Sequence, residues 1–419
     1  MSFSSETLNV VNNNIDPWNV IKSMSVTNPK NAFYCCDLND VIEKILYWKK
    51  LMPRIQPFYA VKCNDDKYIL KLLATFGVNF HCCSSSALNK VLSLNVKPNR
   101  IIYANTAKPK MFIQHALKNG VDLMTFDSKT ELYKIKEIFP NAKLVIRITS
   151  KVKALAELGE KFGCHPRKEA PKLLKISRDL GLNVVGVSFH VGYGCQEISA
   201  FSKLIKLAKF VFNSARKMGC EMNLLDIGGG FSGNKNLLKE CADVINPAIE
   251  KYFPEKDIKV ISEPGTYFVE SAFTLACNVH SIRTTLDENK VKKYYYYVND
   301  SVYGGFGNVM LSKLVRIPRP ITDYGNCELC NSTVWGITND SVDKINTNIL
   351  LPKLKFEEWL VYDNMGNYSL PFYTAFSGIE TPKVYTIINE NNWHLIQDLF
   401  WFAEEKELQQ KMMCIEQPK

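Results

Sequence analysis

Between about residue 57 and residue 265 the chain alternates two kinds of segment. A short run of β-branched, aromatic and other apolar residues, as expected for a buried strand, is followed by a polar turn and then by apolar residues at helical spacing. The short runs number eight and end near residues 62, 82, 105, 127, 148, 191, 230 and 264. The intervening segments, such as DDKYILKLLATFG and KMFIQHALKNG, end in glycine as many helices do.

Eight strands alternating with helices over this span predict an α/β fold with a closed (βα)8 barrel of the TIM type. The alternative, a doubly wound open sheet, more often has about five or six strands. After residue 275 the pattern changes to strand-rich segments such as FTLACNVHSIRTTL, KYYYYVND and LVRIP, which predicts an antiparallel β-domain. We therefore divide the chain into an N-terminal segment, 1–36, that joins the β-domain, a barrel, 37–275, and a C-terminal β-domain, 276–419.

Composition excludes several other classes of protein. The 419 residues are 46% hydrophobic, and the net charge of +10 includes no run of five or six basic residues, so nucleic-acid binding is not predicted. No apolar stretch reaches the ~18 residues of a spanning helix, so no membrane association is predicted. Thirteen scattered cysteines and an N-terminus without signal-peptide character predict a reduced, cytoplasmic protein. Cys327 and Cys330 have the spacing of half a zinc site, but no second pair follows, so we predict no metal site.

The C-terminal ends of barrel strands meet on one face, where active sites form. The predicted strands end in an unusually polar set: Lys62, His81, Asn105, Asp127, Arg147, His190, Gly228, Gly229, Gly230 and Glu263. Asn105 and Asp127 suit helix caps equally well. Most of the others suit a pyridoxal phosphate site, because a lysine can bond the cofactor aldehyde, a histidine can stack on its ring, a carboxylate can hold the ring nitrogen, and glycines let amides approach a phosphate. Each signal is weak when taken singly.

Seven motifs along the chain resemble those of eukaryotic ornithine decarboxylase and its paralogues, the antizyme inhibitors. They are FYAVKCN at 58–64, SFHVGYGC at 188–195, LDIGGGFSG at 225–233, EPGTYFVESAFTLA at 263–276, YYVNDSVYGGF at 296–306, WGITNDSVD at 335–343 and NMGNYSL at 364–370. The resemblance covers nearly the whole chain in order. It implies the alanine racemase-like architecture of fold-type III decarboxylases, in which a pyridoxal phosphate barrel precedes a β-domain.

The resemblance also implies a role for each matching residue. Lys62 matches the Schiff-base lysine, His190 the histidine that stacks on the ring, and Glu263 the partner of the ring nitrogen. The remaining matches to cofactor-binding positions are Gly228, Gly229 and Gly230 in the phosphate loop, Tyr368, which reaches the phosphate, and Arg147. Lys161 matches a further retained position, and Tyr303 and Asp340 match positions that face the substrate.

Six positions in the same pocket depart from the family's pattern. Tyr193 replaces a serine and Thr266 an arginine, both of which bind the phosphate in the decarboxylases. The other four departures are His81 for an aspartate, Ala87 for a glutamate, Ser312 for the aspartate that receives the substrate's distal amine, and Asn339 for the cysteine that returns a proton to the product. An amide has no accessible proton near neutral pH, so Asn339 cannot act as that acid. Loss of both phosphate contacts would weaken cofactor binding by roughly a hundredfold.

This pattern is similar to that of the antizyme inhibitors, which keep the decarboxylase fold and bind antizyme without catalysis. The resemblance therefore predicts a catalytically impaired, antizyme-inhibitor-like protein that regulates polyamine biosynthesis and uptake. The alternative is an active pyridoxal phosphate-dependent decarboxylase that acts on ornithine or on a less basic amino acid, since Lys62, His190 and Glu263 are retained. A third hypothesis is a folded paralogue with neither activity.

The segment that matches the antizyme-binding element spans residues 110–134. Within it we expect Glu131, Leu132 and Lys134 to serve antizyme binding, although a barrel helix with a solvated face would show a similar sequence. The resemblance further implies a homodimer with sites shared across its interface. If catalysis is lost, the dimer is expected to be weak or replaced by a monomer.

Overall fold

The computed structural model describes residues 3–27, 31–149, 152, 154, 155, 159–195, 197–286, 290–312, 316–398 and 400, without the side chains of 311 and 312. The chain forms two compact units. The barrel unit comprises Lys44–Phe268 with Asp398–Lys419, and the β-unit comprises Met1–Glu43 with Val269–Gln397. The first elements in the chain are β1 (Asn9–Val11), α1 (Pro17–Thr27), β2 (Phe33–Asp37) and α2 (Leu38–Leu51).

The barrel strands are all parallel and close in the order β10-β3-β4-β5-β6-β7-β8-β9. They are β3 (Ile55–Ala60), β4 (Asn79–Cys82), β5 (Ile101–Tyr103), β6 (Leu123–Phe126), β7 (Lys143–Arg147), β8 (Asn183–Ser188), β9 (Leu224–Asp226) and β10 (Lys259–Ser262). The predicted (βα)8 barrel is therefore confirmed. A cluster of apolar side chains that includes Phe58, Val145 and Ile261 forms part of the packed core.

Helices connect successive strands, as the sequence pattern predicted. They are α3 (Lys67–Thr75), α4 (Ser85–Ser93), α5 (Lys110–Lys118), α6 (Lys129–Ile138), α7 (Ala170–Asp179), α8 (Ser199–Lys217), α9 (Lys235–Tyr252) and α10 (Thr266–Val269). Side chains that cap N-termini set several of their starts: the carboxylate of Asp66 accepts hydrogen bonds from the amides of Tyr68 and Ile69 at α3. Because short polar turns and caps fix where each helix begins, the strand ends are held at one face of the barrel.

The β-unit contains a nine-stranded sheet. Its later elements are β11 (Phe273–Leu286), β12 (Lys292–Val298), α11 (Gly307–Ser312), β13 (Arg319–Pro320), β14 (Leu329–Trp335), β15 (Lys344–Pro352), β16 (Trp359–Tyr362) and β17 (Lys383–Asn389). Most pairings are antiparallel as predicted, but β1 with β17, β17 with β2 and β12 with β14 are parallel. Strands from the two ends of the chain thus lie side by side, and β2 also pairs with β11.

No helix in the described ranges is long and apolar enough to cross a membrane.

Asp300 is a buried carboxyl group within the β-unit. Its Oδ1 accepts hydrogen bonds from Tyr373 Oη at 2.7 Å, Ser301 N at 2.7 Å and Gly305 N at 3.0 Å. Its Oδ2 has no hydrogen-bond partner within the described residues. Burial raises the pKa of Asp300 from 3.8 to about 6, although the hydrogen bond from Tyr373 acts in the opposite direction.

We expect replacement of Asp300 by asparagine to change how stability depends on pH. Because the carboxyl pKa is raised, the folded state keeps a proton that the unfolded chain has already lost. The stability that this group contributes is therefore fully present below about pH 4 and is lost as the pH rises through about 6. Asp300→Asn keeps the three hydrogen bonds to Oδ1 and does not titrate. The free energy of unfolding of this variant, relative to that of the unmodified protein, should therefore increase by about 3 kcal/mol between pH 4 and pH 7.

Urea unfolding at pH 4, 5, 6 and 7 measures this difference. The exposed Asp323, also in the β-unit, provides a control, because Asp323→Asn should give a difference that changes little with pH. A difference between Asp300→Asn and the unmodified protein that stays constant with pH would show that Asp300 ionises normally in the fold.

Candidate active site

Lys62 lies just beyond the end of β3, in a 3-10 turn formed by Val61–Cys63. The sequence placed it on the strand itself, but β3 ends at Ala60, whose amide donates to Pro264 O at 3.0 Å. The following glycine, Gly265, packs so closely that a Cβ there would be 2.8 Å from Cys63 Cβ. The turn that carries Lys62 is therefore fixed against the segment that follows β10.

His190 lies two residues beyond the end of β8, although the sequence predicted that the strand would continue through it. Its Nδ1 accepts a hydrogen bond from the amide of Gly192 at 2.9 Å, so a neutral ring carries its proton on Nε2. Burial, followed by the positive charges of Arg147 and Lys62, lowers the pKa of His190 from 6.5 to about 3. The ring is therefore neutral at physiological pH.

The triple glycine follows β9 and packs against both neighbouring strand ends. Gly228 has a φ of +66°, and a Cβ there would collide with the carbonyl oxygen of Phe189. A Cβ on Gly229 would be 2.6 Å from Glu263 O and 2.9 Å from His190 Nε2. Only glycine fits these positions, so the loop lies directly beside the His190 ring.

Glu263 follows β10 and forms an ion pair that the sequence did not predict. Its Oε2 lies 3.2 Å from Nδ1 of His81 at the end of β4, and the two side chains are only 6% and 5% exposed. Burial raises the pKa of Glu263, but the neighbouring His81 and Arg147 have the larger combined effect and lower this pKa to about 2. Glu263 Oε1 and both ring nitrogens of His81 have no well-aligned hydrogen bond in the part of the chain that is described. The two side chains are thus close together without a well-aligned hydrogen bond between them.

Asp226 is a buried member of this cluster that the sequence analysis missed. Its Oδ1 accepts a hydrogen bond from the amide of Gly228 at 2.8 Å. Burial and the nearby carboxylate of Glu263 raise the pKa of Asp226 well above its usual range. Its position two residues before the glycine loop was the available signal.

Arg147 ends β7, as predicted, and burial lowers the pKa of its guanidinium. Its Cζ lies 5.3 Å from the centre of the Phe162 ring, and Lys161 Nζ lies 5.1 Å from the same centre. Asp127 accepts a hydrogen bond from the amide of Gly163 at 2.8 Å. It therefore holds a loop and is not the predicted helix cap, because Ser128 caps α6.

Four of the six departures from the family pattern lie in the barrel unit. Thr266 is buried at the start of α10, Tyr193 is half-buried, and the amide of the buried Ala87 donates to the N-cap Ser84 Oγ at 3.2 Å. His81 forms the ion pair described above. The two positions predicted to contact a phosphate therefore carry no cation.

The β-unit contains the other predicted site residues. Tyr303 donates a hydrogen bond to Asp340 Oδ2 at 2.7 Å, and its ring centre is 4.3 Å from that of Phe376. Asn339, next to Asp340, is exposed. Tyr368 has a positive φ of 51° and stacks on Phe372 at 5.7 Å. Ser312 ends α11, and its side chain lies outside the described part of the structure.

The predicted antizyme-binding residues lie mostly in the interior. Glu131 and Leu132 on α6 are buried, and Lys134 is partly buried. Glu131 pairs with Lys108 Nζ at 2.7 Å and with Lys134 Nζ at 2.6 Å, and Lys134 also donates to the carbonyl oxygen of Lys108. This placement changes the expected role: these side chains hold α5 and α6 in position, and those of Glu131 and Leu132 are not offered to a partner.

Comparison with known proteins agrees with this architecture. The profile of the pyridoxal-dependent decarboxylase pyridoxal-binding domain matches residues 38–270. Ornithine decarboxylase of Rattus norvegicus is 40% identical over 399 residues, which cover 90% of this chain and 85% of that protein. Antizyme inhibitor 2 of Xenopus laevis is 41% identical over 407 residues, which cover 93% of this chain and 88% of that protein. The chain belongs to the ornithine decarboxylase and antizyme inhibitor family.

A solved member of the same fold class is the arginine decarboxylase of Paramecium bursaria Chlorella virus. It superposes with a TM-score of 0.83 at 38% identity, covering 88% of this chain and all of that one (100%). The similarity shows that the present protein has the architecture of the fold-type III decarboxylases, and the matched profile is that of their pyridoxal-binding domain.

The barrel residues fit the ring of pyridoxal phosphate. Glu263 is a buried carboxylate beside which His81 and Asp226 already lie, and its Oε1 has no well-aligned hydrogen bond within the described residues. The His190 ring beside Gly229 provides a flat surface, and Lys62 follows β3, which is next to β10 in the barrel. When bound, the cofactor supplies an electron sink for bonds at a substrate's α-carbon. At the phosphate end, the glycine loop provides backbone amides, but Thr266 provides no charge.

Proposed function

We propose that this protein is a catalytically impaired ornithine decarboxylase homologue that binds antizyme in the cytoplasm and thereby regulates polyamine biosynthesis and uptake. The loop that carries Asn339 is the observation that supports impairment. Asp343 holds this loop by accepting from Thr338 N at 2.9 Å and Val302 N at 2.9 Å. Asp340 keeps its contact with Tyr303. The loop is thus fully formed, but the residue in the position of the proton donor is an amide.

Weak cofactor binding follows from the same proposal. In the barrel unit, Lys62, His190 and Glu263 would hold the aldehyde and ring of pyridoxal phosphate, and Gly229 and Gly230 would offer amides to its phosphate. A charge-assisted hydrogen bond to an anion contributes about 1.5–3 kcal/mol, and Thr266 cannot make one. We therefore expect a lower affinity for the cofactor than in the decarboxylases that have arginine at this position.

Antizyme binding is supported by the surface of α5 and α6 and by the printed name of the Xenopus laevis relative, antizyme inhibitor 2. Met111 on α5 is 66% exposed and Tyr133 on α6 is 55% exposed. Large apolar side chains on the outside of a helix pair are common anchors of protein interfaces. In the proposal, this surface contacts antizyme, while Glu131 and Leu132 support it from inside.

We expect Met111→Glu and Tyr133→Glu each to weaken binding to antizyme by about tenfold or more, because each buries a charge in the interface. Pull-down followed by titration of purified proteins measures this loss. Leu237→Glu, on the barrel helix α9 at a residue that is 40% exposed, is the matched control and should leave antizyme binding unchanged. Binding of antizyme that is equally strong in all three variants would exclude this surface, and absence of any binding by the unmodified protein would reject the partner.

The second candidate is an active decarboxylase with a changed substrate. The clustering of Lys62, His190 and Glu263 in the barrel unit favours it. A borohydride-stable attachment of the cofactor at Lys62, absent in Lys62→Ala, together with carbon dioxide release from any amino acid, would support this candidate and overturn the proposal of a non-catalytic protein.

A further inference from the structure

His81 introduces a basic side chain at a position where the resembling decarboxylases have an acid. It ends β4, and its Nδ1 lies 3.2 Å from Glu263 Oε2. Both side chains are buried, so the interaction is only weakly screened by water. The carboxylate that matches the partner of the cofactor's ring nitrogen is therefore already beside a residue of the protein that can carry a positive charge.

The other charged and titratable groups around this pair come from every neighbouring part of the barrel mouth. They are Lys62 after β3, Cys83 after β4, Arg147 on β7, His190 after β8 and Asp226 on β9. The pKa of His190 is lowered and that of Asp226 is raised, for the reasons given above. The pKa of Glu263 is lowered, and among its charged neighbours His81 contributes most to this shift.

We propose that His81 is a positioning residue that takes the place of the cofactor ring as the partner of Glu263. Two consequences follow. The buried carboxylate of Glu263 already has a nitrogen of the protein 3.2 Å from its Oε2. The ring nitrogen of pyridoxal phosphate would therefore have to compete with the His81 imidazole for this carboxylate. The site thus accommodates the face of the pyridoxal phosphate ring but disfavours the interaction at its nitrogen.

This inference deepens the proposed impairment of the same pocket, and its test depends on neither catalysis nor antizyme. His81→Asn removes the imidazole beside Glu263 and keeps a polar side chain of smaller size. We expect the cofactor-free variant to unfold at a temperature lower by about 5 °C or more, because the buried Glu263 loses its partner. We also expect its dissociation constant for pyridoxal phosphate to fall by about tenfold or more.

Thermal unfolding with and without pyridoxal phosphate, and titration of its absorbance, measure both effects on the full-length protein. His394→Asn, at an exposed position, is the matched control and should match the unmodified protein in both measurements. The double variant His81→Asn/Glu263→Gln isolates the pair. If His81 acts through Glu263, the gain in affinity from His81→Asn should disappear when Glu263 is already glutamine.

If His81→Asn does not fold, His81→Asp provides the second test, because an added carboxylate beside Glu263 should also attract the cofactor's ring cation. Tighter binding in either variant, lost in the Glu263→Gln background, supports the inference. A folded His81→Asn or His81→Asp that binds pyridoxal phosphate no more tightly than the unmodified protein overturns it. Failure of the antizyme pull-down, or detection of carbon dioxide release, would instead reject the proposed function and leave this result unaffected.

Discussion

Purified protein supplied with pyridoxal phosphate should release carbon dioxide from L-ornithine at least about a thousandfold more slowly than the Rattus norvegicus ornithine decarboxylase under the same conditions. A positioned general acid contributes about 10²–10⁴ in rate, and Asn339 has no proton to give. The neutral Ser312, in place of an acid, also removes a partner for the substrate's distal amine. The measurement is trapped ¹⁴CO₂ from carboxyl-labelled ornithine.

Asn339→Cys tests whether the missing acid is the sole defect. We expect the rate of this variant to remain at least about a hundredfold below that of the rat enzyme, because Thr266, Tyr193 and Ser312 are unchanged. Each hydrogen bond to a charged group that these residues no longer make contributes about 1.5–3 kcal/mol. Asn331→Cys, at another exposed asparagine of the β-unit, controls for the added thiol. A rate within tenfold of the rat enzyme, in the unmodified protein or in Asn339→Cys, would contradict the expectation.

Glu131→Ala should lower the free energy of unfolding by about 3–5 kcal/mol. The carboxylate of Glu131 is buried between Lys108 and Lys134, and Lys108 is itself buried, with its ammonium also donating to Asn105 O at 3.0 Å and Thr125 O at 2.7 Å. Burial lowers the pKa of Lys108, and Glu131 opposes this shift. Removal of Glu131 leaves a buried cation without its counter-charge. Urea unfolding monitored by circular dichroism measures the loss.

The matched control lies on the same two helices. Glu137 on α6 pairs with Lys110 on α5 at 2.7 Å, but both side chains are exposed. Glu137→Ala should therefore change stability by less than about 1 kcal/mol. Lys108→Met should recover part of the loss in the Glu131→Ala background, because it removes the uncompensated charge. Equal, small effects of Glu131→Ala and Glu137→Ala would show that the buried cluster contributes nothing. Since Glu131→Ala is expected to destabilise the fold, it is unsuitable as a test of antizyme binding.

The sequence predicted most strands and helices of both units accurately, because each has its own hydrophobic periodicity. The run FTLACNVHSIRTTL coincides with β11, and the eight predicted barrel strands all exist. Errors arose where the period is broken. β15 was not predicted, since it contains the buried Asn346 and the left-handed Asn348, which interrupt the alternation of apolar and polar residues. The segment LVRIP was expected to be a strand, but 313–315 lie outside the described residues, and the strand that follows them is Arg319–Pro320.

The candidate site was predicted less completely than the fold. Lys62, His190 and Glu263 were identified because strand ends can be located from the hydrophobic pattern and because each lies in a specific motif. Asp226 was missed, since an aspartate before glycines is typical of an ordinary turn. Glu131 was expected to contact a partner, because it lies in the segment that resembles the antizyme-binding element. Its burial depends on Lys108, which belongs to a different loop.

The sequence by itself determined the fold class, the order of the elements and the types of residue present at the barrel mouth, because these depend on local periodicity and on which residues follow each strand. The tertiary structure alone decided which charges compensate each other. His81 and Glu263 are far apart in the chain and meet only because the barrel closes through β10 and β3, with β4 next to β3. The ionisation of buried groups depends on such neighbours and on exclusion of water, and neither is encoded in any local pattern.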